Sequence, residues 1–135
     1  MFQHRYEITI LEKHLDGYGH VNNAVYLTLL EEARWDLITS RGYSYDRVQK
    51  EKIGPVILAV QLQFKKELTL RNRYTIVTTC KDHRKRIGFV SQKIVDLEGI
   101  VFTEAEFTFG LFDLQKRKLI EPTSDWLYAI GWQDR

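Results

Sequence analysis

Asp16-Gly17-Tyr18-Gly19-His20-Val21-Asn22-Asn23-Ala24-Val25-Tyr26 is the stretch richest in side chains that can do chemistry. A carboxylate sits in a glycine-containing loop, and a helical pattern begins shortly after it. The first turn of a helix carries unpaired backbone N–H groups and the positive end of the helix dipole, which together suit an anionic oxygen. An acid or nucleophile beside such donors is what acyl transfer needs, because charge develops on the carbonyl oxygen. Asp, Gly and Asn are also the ordinary turn formers. Spacing alone therefore leaves Asp16 either a reactive carboxylate or a turn residue, and Asn22 or Asn23 either part of a site or only a helix cap. His20 is an acid–base partner or an exposed loop residue on the same footing.

A second constellation is Lys81-Asp82-His83-Arg84-Lys85-Arg86. It is a solvated hairpin tip or a phosphate clamp, since Arg and Lys match phosphate oxygens well. Lys65-Lys66 is a weaker candidate of the same kind. A nucleic-acid role is excluded by the balance of 20 Lys+Arg against 18 Asp+Glu, a net +2. Binding a phosphate backbone needs a stronger basic excess. The single Cys80 has no partner for an internal disulfide and reads as a small core filler in a reducing compartment. No signal-peptide stretch opens the sequence and no apolar run is long enough to span a bilayer, so the expectation is a cytoplasmic protein without a membrane contact.

These residues must be positioned by a chain of 135 residues, enough for one core and one domain, here residues 1–135. Phe2 to Leu11 alternates as a strand with one wet face. Ala24 to about Ser40 has helical spacing, with Tyr26, Leu29, Leu30, Ala33 and Leu37 in one stripe. Val25, Leu27, Trp35 and Ile38 lie off that stripe, which predicts a helix buried around most of its circumference. Gly42 ends it, just past the cap. After Pro55 the period becomes two, with Leu58, Val60, Leu62 and Phe64 opposing Gln61, Gln63 and Lys65. Further strands follow at Tyr74–Cys80, Ile87–Val95 and Ile100–Phe112, broken at Arg71-Asn72, Asp82–Arg86 and Glu98-Gly99. Pro122–Ile130 forms a short amphipathic helix with Trp126, Leu127 and Ile130 inward. The fold class is α+β: a five-stranded antiparallel sheet wrapped around one long central helix, with a short C-terminal helix.

The string Asp16-x-x-Gly19-His20-Val21-Asn22-Asn23-Ala24-x-Tyr26, followed by Glu31-x-Ala33-Arg34, resembles the hotdog-fold acyl-CoA thioesterases of the 4-hydroxybenzoyl-CoA thioesterase-like superfamily. The likeness extends over nearly the whole chain, including Asp113 and Pro122. It implies that Asp16 is the catalytic carboxylate, attacking the thioester or activating water. It implies that Asn23 supplies an oxyanion donor through its backbone N–H, that Tyr26 lines the site, and that Glu31 supports the loop or the water. His20 belongs to a variant of the motif and joins the substrate-binding candidates. Arg84, Lys85 and Arg86 match a region from which relatives hold the coenzyme A nucleotide, often across a subunit boundary. Two departures stand out: His14 occupies a position where many relatives carry a second Asp, and Gly88 lies near a position where several carry Ser.

The function so implied is hydrolysis of an acyl-CoA to a free acid and coenzyme A, with no metal and no cofactor, coenzyme A being part of the substrate. An acyl-acyl carrier protein thioesterase and a non-catalytic hotdog module binding an acyl-CoA or a partner are the alternatives. A hotdog dehydratase is disfavoured, because no His-x-x-x-x-Gly-x-x-Pro string occurs. Some of Ile57, Leu58, Ala59 and Val60 line either the core or an acyl tunnel. One sheet around one helix leaves two exposed edges. The resemblance implies that one edge pairs with a second copy, giving a homodimer or a dimer of dimers (a homotetramer), with the active site across the junction.

Overall fold

The computed structural model describes residues 1–134. The elements follow in the order β1 (His4–Thr9), α1 (Asn23–Ser40), α2 (Tyr45–Glu51), β2 (Ile53–Phe64), β3 (Arg73–Arg84), β4 (Ile87–Val95), β5 (Val101–Asp113), β6 (Lys118–Ile120) and α3 (Ser124–Ala129). The strands form one antiparallel sheet in the order β1-β3-β4-β5-β2, with the short β6 paired to the end of β5. The expected architecture is present, with β6 as a sixth strand and α2 as a helix that the periodicity did not signal. α2 is capped by the Ser44 side chain, which accepts from the Arg47 N–H.

Strand register builds the core in rows. Thr78, Gln92, Ala105 and Leu62 stand side by side, as do Cys80, Val90, Phe107 and Val60. These rows form the concave face on which α1 lies through Tyr26, Leu29, Leu30, Ala33 and Leu37, all buried. Burial then falls away toward β2. Cys80, Val90 and Phe107 are buried, whereas Val60 in the same row is 45% exposed and Phe64 is 51% exposed. β1 and β2 are the two sheet edges, and β2 is the apolar one.

Two expectations are corrected. α1 is buried on one side and not around most of its circumference: Leu27 is exposed and Val25 and Trp35 are half-buried, because a single sheet covers one face of a helix. The charged break at Asp82–Arg86 is shorter than expected, since β3 runs on to Arg84 and only Lys85 and Arg86 make the turn to β4. A bulge between Cys80 and Asp82 absorbs the change of register.

Gly88 has a packing reason to be glycine. It lies opposite Phe109, and a Cβ there would overlap the ring of Phe109, which is buried and cannot move aside. His83, paired with Gly88 across the hairpin, sets its ring edge-on to Phe109 at 5.8 Å. Its Nε2 is buried without a hydrogen-bond partner among the described residues. Burial pushes its pKa below the ordinary value of 6.5, against the opposing pull of Asp82 and Glu121.

The unfolded chain therefore binds a proton at His83 at a higher pH than the folded one. Stability from this group is complete above about pH 6.5 and declines as pH falls below it. Thermal unfolding should show a lower Tm at about pH 5 than at about pH 7. His83→Gln should flatten that difference; an unchanged pH slope would refute the assignment.

Candidate active site

The loop before α1 is closed at its base by an antiparallel bridge between Leu15 and Val21. Within it the Asp16 N–H donates to the His20 carbonyl at 2.8 Å, and the Gly19 N–H donates to the Asp16 carbonyl at 3.1 Å. Gly19 takes φ +77°, a conformation costly for a residue with a Cβ. The Asp16 side chain braces the same turn: its Oδ1 accepts from the Tyr18 N–H at 2.9 Å and the His20 N–H at 3.2 Å. Oδ2 makes no hydrogen bond within the described residues. The carboxylate is thus half-buried and fixed in direction, with one oxygen committed to the fold and the other available.

His14 has a structural task at its divergent position. Its Nδ1 accepts from the Leu11 N–H at 2.9 Å, and its carbonyl accepts from the Asn22 N–H at 3.3 Å. The ring nitrogen thereby caps the start of the 3₁₀ turn Glu12–His14, whose N-cap is Leu11.

Asn22 is the N-cap of α1, its Oδ1 accepting from the Ala24 N–H at 2.9 Å. The Val25 N–H donates to the Asn22 carbonyl. That leaves the Asn23 N–H without a hydrogen-bond partner among the described residues, at the positive end of an 18-residue helix.

Asp16, His20, Asn23 and Tyr26 line one open cleft together with Val21, Phe64, Lys65, Lys66 and Glu67. Tyr26 meets Phe64 edge-on at 4.8 Å, and burial raises its pKa above the ordinary 10.0. His20 faces Glu67 at 3.5 Å. Lys65 and Lys66 bring positive charge to this cleft, although Lys65 is already 3.5 Å from Glu104. Phe64 and Glu67 were not singled out by sequence. They lie at the end of β2 and just beyond it, and only tertiary structure brings them beside the loop.

The remaining candidates lie elsewhere in the chain. Glu31 lines a second cleft with Arg34, Trp35, Pro55 and Ile57. It is eight residues along α1 from Asn23, or roughly 12 Å of helix. Arg84 ends β3, and Lys85 and Arg86 make the turn to β4, level with the Pro55–Ile57 part of β2. Phe64 is seven strand residues from Ile57, roughly 23 Å away. Arg84 is paired with Asp82 at 2.7 Å and Arg86 with Glu121 at 3.5 Å, so this basic run is partly neutralised locally. Lys85 has no carboxylate partner among the described residues. The two clefts thus flank opposite ends of the same edge strand. No helix is long and apolar enough to cross a membrane among the described residues.

A family model described as the thioesterase-like superfamily matches residues 11–130. The long-chain acyl-CoA thioesterase FadM of Escherichia coli (strain K12) is 33% identical over 115 residues, covering 84% of this chain and 86% of its own length. The solved structure of the probable thioesterase YbaW from Escherichia coli matches with a TM-score of 0.82 at 28% identity, over 96% of this chain and 97% of that one. Slr0204, a 1,4-dihydroxy-2-naphthoyl-CoA thioesterase from Synechocystis, matches with a TM-score of 0.86 over 96% of both chains. Its identity of 18% extends the likeness to the fold alone.

The cap has a measurable weight. Asn22→Ala should lower unfolding stability by about 1 kcal/mol, and Asn22→Ser should recover most of it. Chemical denaturation of the three proteins checks this; equal stabilities would mean that the cap contributes nothing.

Proposed function

Since this chain belongs to the thioesterase-like superfamily and is a thioester hydrolase, we propose that it hydrolyses acyl-CoA esters with Asp16 as its catalytic carboxylate. The observation that carries this reading is the half-committed carboxylate beside the unpaired Asn23 N–H in one cleft. The thioester carbonyl sits against the Asn23 N–H, which stabilises the oxyanion as the tetrahedral intermediate forms. Oδ2 of Asp16 either adds to the carbonyl carbon or takes the proton from an attacking water. Collapse of the intermediate breaks the C–S bond, and the coenzyme A thiolate leaves and takes up a proton. A thioester is activated enough for one carboxylate and one oxyanion donor to suffice. The reading uses no resident metal or cofactor, and coenzyme A enters as part of the substrate.

The working unit in this reading is a homodimer joined along β2. Support comes from that edge: Ile57, Leu58, Val60 and Phe64 are 43%, 47%, 45% and 51% exposed along a strand with unpaired backbone groups. Antiparallel pairing of β2 with its copy about the middle of the strand sets the Phe64 end of one chain beside the Pro55–Ile57 end of the other. Asp16, His20, Asn23 and Tyr26 of one protomer then face Glu31 of its partner. Glu31 supports the loop or water there. The partner's β3–β4 turn stands at the entrance, where Arg84, Lys85 and Arg86 meet the coenzyme A phosphates.

Thiol release from acyl-CoAs should fall at least about a hundredfold in kcat for Asp16→Asn, whose shape preserves the turn. Activity surviving that change would sink the mechanism. The shared site has its own test. Asp16→Asn and Glu31→Gln chains should each be impaired, and mixing them with exchange of subunits should restore activity, because the mixed dimer holds one intact site. No recovery in a verified mixed dimer would rule out a site shared between chains.

A further inference from the structure

We propose that the second cleft receives an acyl group carrying a strong hydrogen-bond acceptor along its length, a carboxylate-terminated chain above all, and that Arg34 selects it. This rests on the acyl-CoA hydrolase reading and names its substrate class. The cleft is partly open, and its walls are mostly apolar, including Trp35, Ile38, Ile57 and Phe109. A plain hydrocarbon pocket would need nothing else. Here a guanidinium is built into the wall.

Arg34 is held from two sides. Its guanidinium lies over the Phe107 ring at 4.2 Å, and its Nη1 donates to Gln92 Oε1 at 2.9 Å. Gln92 is fully buried, and its amide nitrogen donates to the Leu30 carbonyl and to Thr78 Oγ1, both at 3.0 Å. Those two acceptors fix which end of the amide is oxygen, so Gln92 presents an acceptor to Arg34 and holds it in place. No carboxylate forms an ion pair with Arg34 among the described residues. Burial lowers its pKa to about 10, with Glu31 pulling the other way, which leaves it charged at neutral pH.

A charge removed from water is costly unless it is paired. Gln92 satisfies one donor with a neutral oxygen, and the others have no partner in the described structure. Trp126 also lines this cleft, and its buried indole N–H has no acceptor among the described residues. A plain alkyl chain entering the cleft would strip water from the guanidinium and return no hydrogen bond. A carboxylate would return charge-assisted bonds to the planar fork.

The test uses non-hydrolysed coenzyme A thioethers, so that binding is measured apart from turnover. Tryptophan fluorescence reports occupancy, because Trp35 and Trp126 line the cleft. S-alkyl, S-(ω-hydroxyalkyl) and S-(ω-carboxyalkyl) coenzyme A of equal chain length are titrated into the wild type, Arg34→Met and Arg34→Lys. The wild type should bind the ω-carboxy compound at least about tenfold more tightly than the alkyl one, with the hydroxyl between them. Arg34→Met should erase or reverse that ratio, and Arg34→Lys should retain part of it. If Arg34→Met fails to fold, the wild-type and Arg34→Lys ratios still decide. An alkyl preference in the wild type, or a ratio independent of residue 34, overturns the proposal. Parallel assays of the corresponding thioesters separate the two readings. Discrimination without turnover of any thioester would refute the hydrolase, whereas turnover without discrimination would refute the role of Arg34.

Discussion

One sheet must cover one long helix, and nearly everything distinctive in this chain follows from how incompletely it does so. α1 presses Tyr26, Leu29, Leu30, Ala33 and Leu37 onto rows of side chains from β3, β4 and β5. The sheet has no second helical layer behind it. Its last column, on β2, is therefore left half-covered, with apolar side chains on the concave side and unpaired backbone along the edge. Both clefts arise at this margin. The polar node at Gln92 is part of the same arrangement, because it ties helix backbone, sheet side chain and the Arg34 guanidinium in the deepest part of the packing. Every polar atom of that amide has a partner, so it adds specificity of register without the penalty of a half-satisfied group.

The catalytic candidate is built with few parts. One short segment supplies the carboxylate, the turn that aims it, the cap of the following helix and the unpaired N–H at that helix's start. Asp16 has two tasks that do not compete, since one oxygen holds the loop while the other faces the cleft. The loop would therefore keep its shape during the proton transfer proposed for the free oxygen. His14 closes the segment from the other side, its ring nitrogen taking the Leu11 N–H and its carbonyl the Asn22 N–H.

Much of this was legible in the residue pattern. Period-two alternation located β2 through β5, and the motif around Asp16 located the loop and the helix start, with Asn22 or Asn23 as the cap, of which the structure uses Asn22. What escaped had weak local signals. α2 is seven residues long with one buried side chain, Val48, too short for an amphipathic period to declare itself. The one-sidedness of α1 could not be read from Leu27, Val25 and Trp35, because apolar side chains facing an unfinished edge look like any others. Phe64 and Glu67 joined the site only because β2 ends beside the loop. Glu31 and the β3–β4 turn belong to the far end of that strand, and their distance from Asp16 is a tertiary fact that no motif spacing carries. The opposite error arose at Asp82–Arg86, where charge density read as loop although Asp82, His83 and Arg84 continue the strand.

The contact between Gly88 and Phe109 constrains the order in which this sequence could have changed. A serine at position 88 needs space that the buried ring occupies, and His83 rests edge-on against that ring. Position 109 would have to shrink before position 88 could grow, and the reverse order passes through an overpacked intermediate. The aromatic ring acts as a latch: what residue 88 can become is decided at residue 109.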